Sequence, residues 1–186
     1  MQDNYIMEDN IHPATYLNMK TGEIYIEEKD IPEYEKNDVE IIDMEIIESI
    51  KKCIEKNITT TYSCQGGIEV AYKDHFKRPE SKVIGLAVPY VALLLFNEKD
   101  VETFVKNVIQ CQYVSVEVCL NINPETDQHE GYLLSVKGSN YLAEKINPWD
   151  YEENHTEEEL NRVLLDDEKY RRKFFKELNW IIDNFQ

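Results

Sequence analysis

The chain predicts an α+β domain: one mostly antiparallel sheet with helices on one face, a ferredoxin-like centre, an N-terminal hairpin and C-terminal helices. Three observations predict it. Residues 44–56 and 97–110 repeat apolar side chains at helical spacing, while residues 58–63, 83–96, 113–121 and 131–137 carry the β-branched, aromatic or alternating patterns of strands. The order is then hairpin, helix, strand, strand, helix, strand, strand, helices, which packs as helices against an antiparallel sheet. At 186 residues with 42% hydrophobic side chains, the chain is long enough to bury one core.

Residues 1–13 read as an arm. Residues 14–19 and 23–28 flank Lys20-Thr21-Gly22, a turn signal between two short strands. Residues 31–38 form a charged connector. Asp43 is placed to cap a helix over 44–56, with Ile46, Ile47, Ile50, Cys53 and Ile54 on one face, and Asn57 suits its left-handed stop. A strand over 58–63 follows. Residues 68–82 are the least regular part. Residues 83–96 give one or two buried strands with Pro89 at a boundary, and a helix runs from about 97 to 110 on Val101, Phe104, Val105 and Val108. Over 113–121, Val114, Val116, Val118 and Leu120 alternate with Ser115 and Glu117, as in a half-buried strand whose hairpin partner is 131–137. Asn147-Pro148-Trp149 marks a break. Thr156 with Glu159 forms a capping box for a short helix ending near Leu165, and Asp166 or Asp167 starts a last helix on Tyr170, Phe174, Leu178, Ile181 and Phe185. Three units result: an arm with hairpin over 1–37, an α+β core over 38–146 and a helical segment over 147–186.

The net charge is −17. It is segregated: residues 23–48 hold eleven acids against Lys29 and Lys36, and residues 150–168 hold nine acids against Arg162. Such a field repels phosphates and attracts a basic surface, including that of an enzyme built to hold nucleic acid. Two basic clusters stand against it. Lys73, Lys77, Arg78 and Lys82 sit among His75, Tyr72 and Phe76, a pattern able to hold a phosphate backbone and stack bases or to pair with the protein's own acids. Arg171 and Arg172, with Lys169, Lys173 and Lys176, begin the last helix and face either the acids before them or a phosphate.

No apolar run reaches membrane-spanning length, and the N-terminal residues lack a signal-peptide pattern, so a cytoplasmic location is expected. The four cysteines show no Cys-x-x-Cys pair and no histidine at ligand spacing; no metal or cofactor is expected. Cys53, Cys111 and Cys119 lie on apolar periodicities and read as core thiols, leaving Cys64 as the exposed one.

Cys64 belongs to the stretch Thr59-Thr60-Thr61-Tyr62-Ser63-Cys64-Gln65-Gly66-Gly67, a strand stopped by two glycines. This corner presents a hydroxyl, a thiol and amide N–H groups at a sheet's end. The run Tyr62-Ser63-Cys64-Gln65-Gly66-Gly67 resembles a motif of small bacterial and phage proteins in which a strand ends Tyr/Phe-Ser-Cys-Glu/Gln-Gly-His; Gly67 stands where those proteins have the histidine. The likeness extends over about residues 43–110. More distantly, the Ser-Cys-x-Gly core looks like that of the wybutosine-synthesis family, which modifies transfer RNA. By type, a small and strongly acidic chain is similar to phage-borne anti-CRISPR inhibitors, and that similarity implies occlusion of an RNA-guided nuclease's basic channels or damage to its guide RNA.

Three functions stay open. One is an acidic inhibitor of a nucleic-acid enzyme, for which an anti-CRISPR against a type II RNA-guided nuclease is the leading case, with RNA contact through the 73–82 loop. A second is an enzyme acting on RNA or a nucleotide, with Cys64 as nucleophile, Ser63 beside it, or His75 as acid with Lys77 or Arg78 stabilising charge. Tyr62, Gln65, Gly66 and Gly67 would then line the site. The third is a regulatory module in which the corner is only a tight turn.

Overall fold

The computed structural model describes residues 15–71, 83–139 and 157–185. The fold class is the expected one, α+β with antiparallel sheets and helices. Three strands open it: β1 (Thr15–Asn18), β2 (Ile24–Tyr25) and β3 (Val39–Ile42), in the order β2-β1-β3. The turn between β1 and β2 is held by Asn18, whose Oδ1 accepts from Lys20 N at 2.9 Å and Thr21 N at 3.1 Å, and by Gly22 at φ +74°. The strand expected over 23–28 is only Ile24–Tyr25, followed by a 3-10 turn, Glu28–Asp30; the charged connector holds a second, Glu33–Asp38, and leads into β3, which pairs with β1.

Helix α1 (Ile47–Glu55) is preceded by a 3-10 turn, Met44–Ile46. Asp43 stands at the start of that turn but its side chain makes no cap; its carboxylate is spent on the Gln65 N–H. The other end is as expected: Asn57 takes φ 56°, with Ile58 N donating to Cys53 O at 2.8 Å and Asn57 N to Ile54 O at 3.0 Å. That stop turns the chain into β4 (Thr59–Cys64).

The main sheet has the order β4-β7-β9-β8, all neighbours antiparallel, with β7 (Tyr90–Leu95), β8 (Val114–Ile122) and β9 (His129–Gly138). Helix α2 (Glu98–Val108) joins β7 to β8, which run parallel with β9 between them. That split βαβ unit is the ferredoxin-like centre, with β4 as the edge strand beside β7. Between β4 and β7 lies a separate hairpin, β5 (Gly67–Ala71) and β6 (Val83–Ala87). Asn97 caps α2, its side chain accepting from Asp100 N at 2.9 Å.

The C-terminal part differs from expectation. A single helix, α3 (Glu157–Asp183), runs through the region where the sequence predicts two. Asp167 does not start a helix; it is buried within one and bonds Arg171 four residues on. Thr156, half of the expected capping box, lies outside the described residues. The three helices meet on one face of the sheet. The core there joins Val91, Leu93 and Leu95 of β7 and Leu134 and Val136 of β9 to Ile50, Phe104, Phe174, Leu178 and Ile181, each nearly or wholly removed from solvent. Burying each such side chain contributes about 1.5–3 kcal/mol.

Strand β8 corrects two expectations. Val118, Leu120 and Ile122 lie on the helix side yet are 41%, 61% and 48% exposed, because the helices cover only the other end of this edge strand. Cys119 is exposed, not a core thiol, since the strand's period of two turns it away from the helices with Ser115 and Glu117. Cys111 is half-buried and Cys53 fully buried; burial pushes their thiols up, to about 11 and about 12. No described helix is long and apolar enough to cross a membrane.

Candidate functional site

The Ser-Cys-Gln-Gly corner lies where β4 leaves the main sheet and β5 begins. Register decides which way its side chains face. Ser63 pairs with Val91, whose side chain is in the core, and Cys64 with Tyr90, on the face away from the helices. Tyr90 in turn pairs with Lys137, and Lys137 with Ser115. Cys64, Tyr90, Lys137 and Ser115 therefore form one row across the open face, neighbours about 5 Å apart along the hydrogen-bonding direction. Tyr62, 71% exposed, stands on the same face beside them. Tyr90 and Lys137 are the members that the linear sequence does not reveal, since only strand pairing brings them to Cys64.

The corner itself is tied from three sides. Gly66 takes φ +72° and its N–H donates to Cys64 Sγ at 3.4 Å. Gln65 N donates to Asp43 Oδ2 at 3.0 Å, and Gln65 Oε1 accepts from Glu45 N at 3.4 Å. Glu45 then bonds Arg171, whose Nε donates to Asp167 Oδ2 at 2.8 Å. A chain of polar contacts thus links the Cys64 corner, the turn before α1, and α3.

The electrostatics of that chain follow from burial. Asp167 is 2% exposed, and burial raises its carboxyl above the usual range although Arg171 pulls the other way. Burial also opposes the Arg171 charge, but its bonds to Asp167 and Glu45 outweigh it and the guanidinium holds its proton more tightly still. Arg171 is consequently committed to two carboxylates inside the protein. Arg172 pairs with Glu168, Lys169 with Asp166 at 3.5 Å, and Lys173 lies over the Tyr113 ring, 4.8 Å from its centroid. The basic run of α3 from Lys169 to Lys173 is folded back on the protein's own acids and an aromatic ring.

His75 and the cations Lys73, Lys77, Arg78 and Lys82 lie outside the described residues, as do Tyr72 and Phe76. Gly67 is the first residue of β5. Among the described residues the one histidine is His129, stacked edge-on against Tyr132 at 4.8 Å. It is eight residues along β9 from Lys137, about 25 Å from the Cys64 row, and cannot serve that thiol. Among the described residues no group of three His, Cys, Asp or Glu side chains is placed to hold a metal ion. Cys64 is half-buried, not the exposed cysteine expected, so what the described corner can do is present a partly covered thiol and tyrosine rings for contact.

A second feature is built by the N-terminal sheet. Of the eleven acids in 23–48, nine are exposed, and Glu35 and Asp38 are half-buried. Some are engaged locally: Lys29 with Glu27, Lys36 with Glu33 at 2.6 Å, Lys20 with Asp38 at 2.8 Å. Glu35 accepts from Tyr25 Oη at 2.7 Å and Asn18 Nδ2 at 2.6 Å, which hold its carboxyl below the usual range. Glu28, Asp30, Glu40 and Glu48 face solvent, among exposed Ile26, Tyr34, Ile41 and Met44. Carboxylates and exposed apolar side chains are thus interleaved along this segment. Compared with models of protein families, with curated proteins and with solved structures, the chain matches none.

Proposed function

We propose that the protein is an acidic inhibitor that binds an enzyme handling nucleic acid, and that the leading target is a type II RNA-guided nuclease. One observation carries the reading: nine of the eleven acids between Glu23 and Glu48 are exposed, with five exposed apolar or aromatic side chains, Ile24, Ile26, Tyr34, Ile41 and Met44, among them. Carboxylates at that density compete with phosphates for lysine and arginine, and the apolar contacts add affinity that salt does not screen. Interference with the guide RNA is the mechanism that fits such a target, by occupying the channel the RNA requires.

A second reading, RNA held by the protein itself, is favoured by the exposed Tyr62 with half-buried Tyr90 and the Glu117-paired Lys137 on the same open face, since an exposed ring can stack a base. One experiment separates the two. The protein is incubated with a type II nuclease, with and without guide RNA, and followed by size-exclusion chromatography and a denaturing RNA gel. Co-elution with the nuclease while the RNA stays intact, lost as salt is raised and lost in a Glu28→Lys/Asp30→Lys/Glu40→Lys variant, is the expected result. Binding insensitive to both salt and those reversals overturns the first reading. Shortened RNA, abolished by Cys64→Ala, favours an RNA-acting enzyme instead.

A further inference from the structure

Among the described residues, strand β8 is an edge whose outer side meets no strand, since the sheet order ends β9-β8, and it is unbulged before Asn121. The opposite edge, β4, carries a bulge between Thr60 and Tyr62 that interrupts regular pairing, whereas β8 is regular from Val114 to Asn121. Ser139 N donates to Tyr113 O at 2.9 Å, which fixes the phase of the ladder. Every second residue from Tyr113 bonds β9, so Val114, Val116, Val118 and Leu120 direct their N–H and C=O groups outward. The side chains of Val118 and Leu120 are also exposed, on the helix side of the sheet.

Charge marks the same strand. In a chain of −17, residues 111–124 contain a single charged side chain, Glu117, and it is paired with Lys137 at 2.6 Å. Two copies can therefore meet along this stretch without placing acid on acid; the other edge, β4, is uncharged too, with no charged side chain over 57–68, but its bulge breaks the ladder.

We propose that β8 pairs with β8 of a second copy, antiparallel, about a two-fold axis at Val118. Only registers that set outward groups against outward groups can form, and these centre on Glu117, Val118 or Cys119. The first places Glu117 opposite its own copy, a destabilising like-charge pair. The third reaches the bulge at Asn121/Ile122 after five residues. The middle one pairs residues 115–121 in full, sets Val118 against Val118 and Val116 against Leu120, and opposes Glu117 to Cys119. The two four-stranded sheets become one continuous sheet, and the exposed Val118 and Leu120 row closes on itself, an isologous interface.

The test is molar mass by light scattering across a concentration series. A dimer is expected that strengthens with salt, because the two copies repel through their distant acidic blocks. Binding to a basic partner weakens with salt, so failure of one proposal is distinguishable from failure of the other. Val118→Pro removes an N–H that β9 does not use, and is expected to raise the dimer dissociation constant at least about tenfold with circular dichroism unchanged. Leu120→Lys is the second variant, in case Pro disturbs the strand. In a Cys119→Ser background, Val118→Cys is expected to give a covalent dimer on mild oxidation, and Cys119→Ser alone much less. A monomer at all concentrations and salts, or a dimer indifferent to both edge variants, overturns the proposal.

Discussion

Removing the guanidinium of Arg171 tests whether the polar chain from Cys64 to α3 holds the corner in place. Asp167 is 2% exposed and Arg171 14%, so their pairing is weakly screened. At 2.8 Å and an effective dielectric of about 20, their attraction is roughly 6 kcal/mol. Desolvating and ordering the arginine offset about half of that, which leaves a loss of about 3 kcal/mol for Arg171→Met, within the range for removing one partner of a buried pair. At about 2–4 °C per kcal/mol for a chain of this size, the Tm falls by roughly 6–12 °C. The loss depends on pH in a definite direction. Burial already raises the Asp167 carboxyl, and without Arg171 it rises further, so protonation removes the buried charge; the gap between variant and wild type narrows as pH falls. Because Arg171 holds Glu45 and Glu45 N holds Gln65, Cys64 should also react faster with a thiol reagent in the variant. Urea unfolding at several pH values, beside Arg171→Met/Asp167→Leu, measures all of this. The double variant should recover part of the loss. A single-variant loss under about 1 kcal/mol, or one that does not change with pH, refutes the reasoning.

Two further predictions follow from close contacts. A Cβ on Gly138 would stand 2.5 Å from Tyr170 Oη, so Gly138→Ala must displace the ring and break its 2.6 Å bond to Ser139 O; a loss of about 1–3 kcal/mol is expected by urea titration, and little loss would show the ring to be free to shift. Glu35 is held below its usual range by Tyr25 and Asn18, so its contribution is present above the unfolded-state value and disappears as pH falls through the folded one. Glu35→Gln should flatten that acid limb, read from amide exchange in β1–β3, and an unchanged limb would assign it to other carboxylates.

What the sequence determined by itself is local. The Asn57 stop, the Asn97 cap, the turn at Gly22 and the alternation of β8 each arise from a few neighbouring residues whose conformational preferences act without help from afar. The acidic block of 23–48 was equally legible, since most charged side chains stay in water wherever the backbone goes. Tertiary structure decided the rest. Asp43 would have capped its helix had the Gln65 N–H not come within reach from twenty-two residues away. Asp167 reads as a helix start, but burial beside Arg171 keeps α3 continuous through it. Val118 and Leu120 carry the pattern of core residues and are exposed because their strand lies at the edge, beyond the helices. Nor could the sequence bring Tyr90 and Lys137 to Cys64. Apolar periodicity states that a face prefers burial, but strand order and register decide what arrives to bury it and which side chains share the open side.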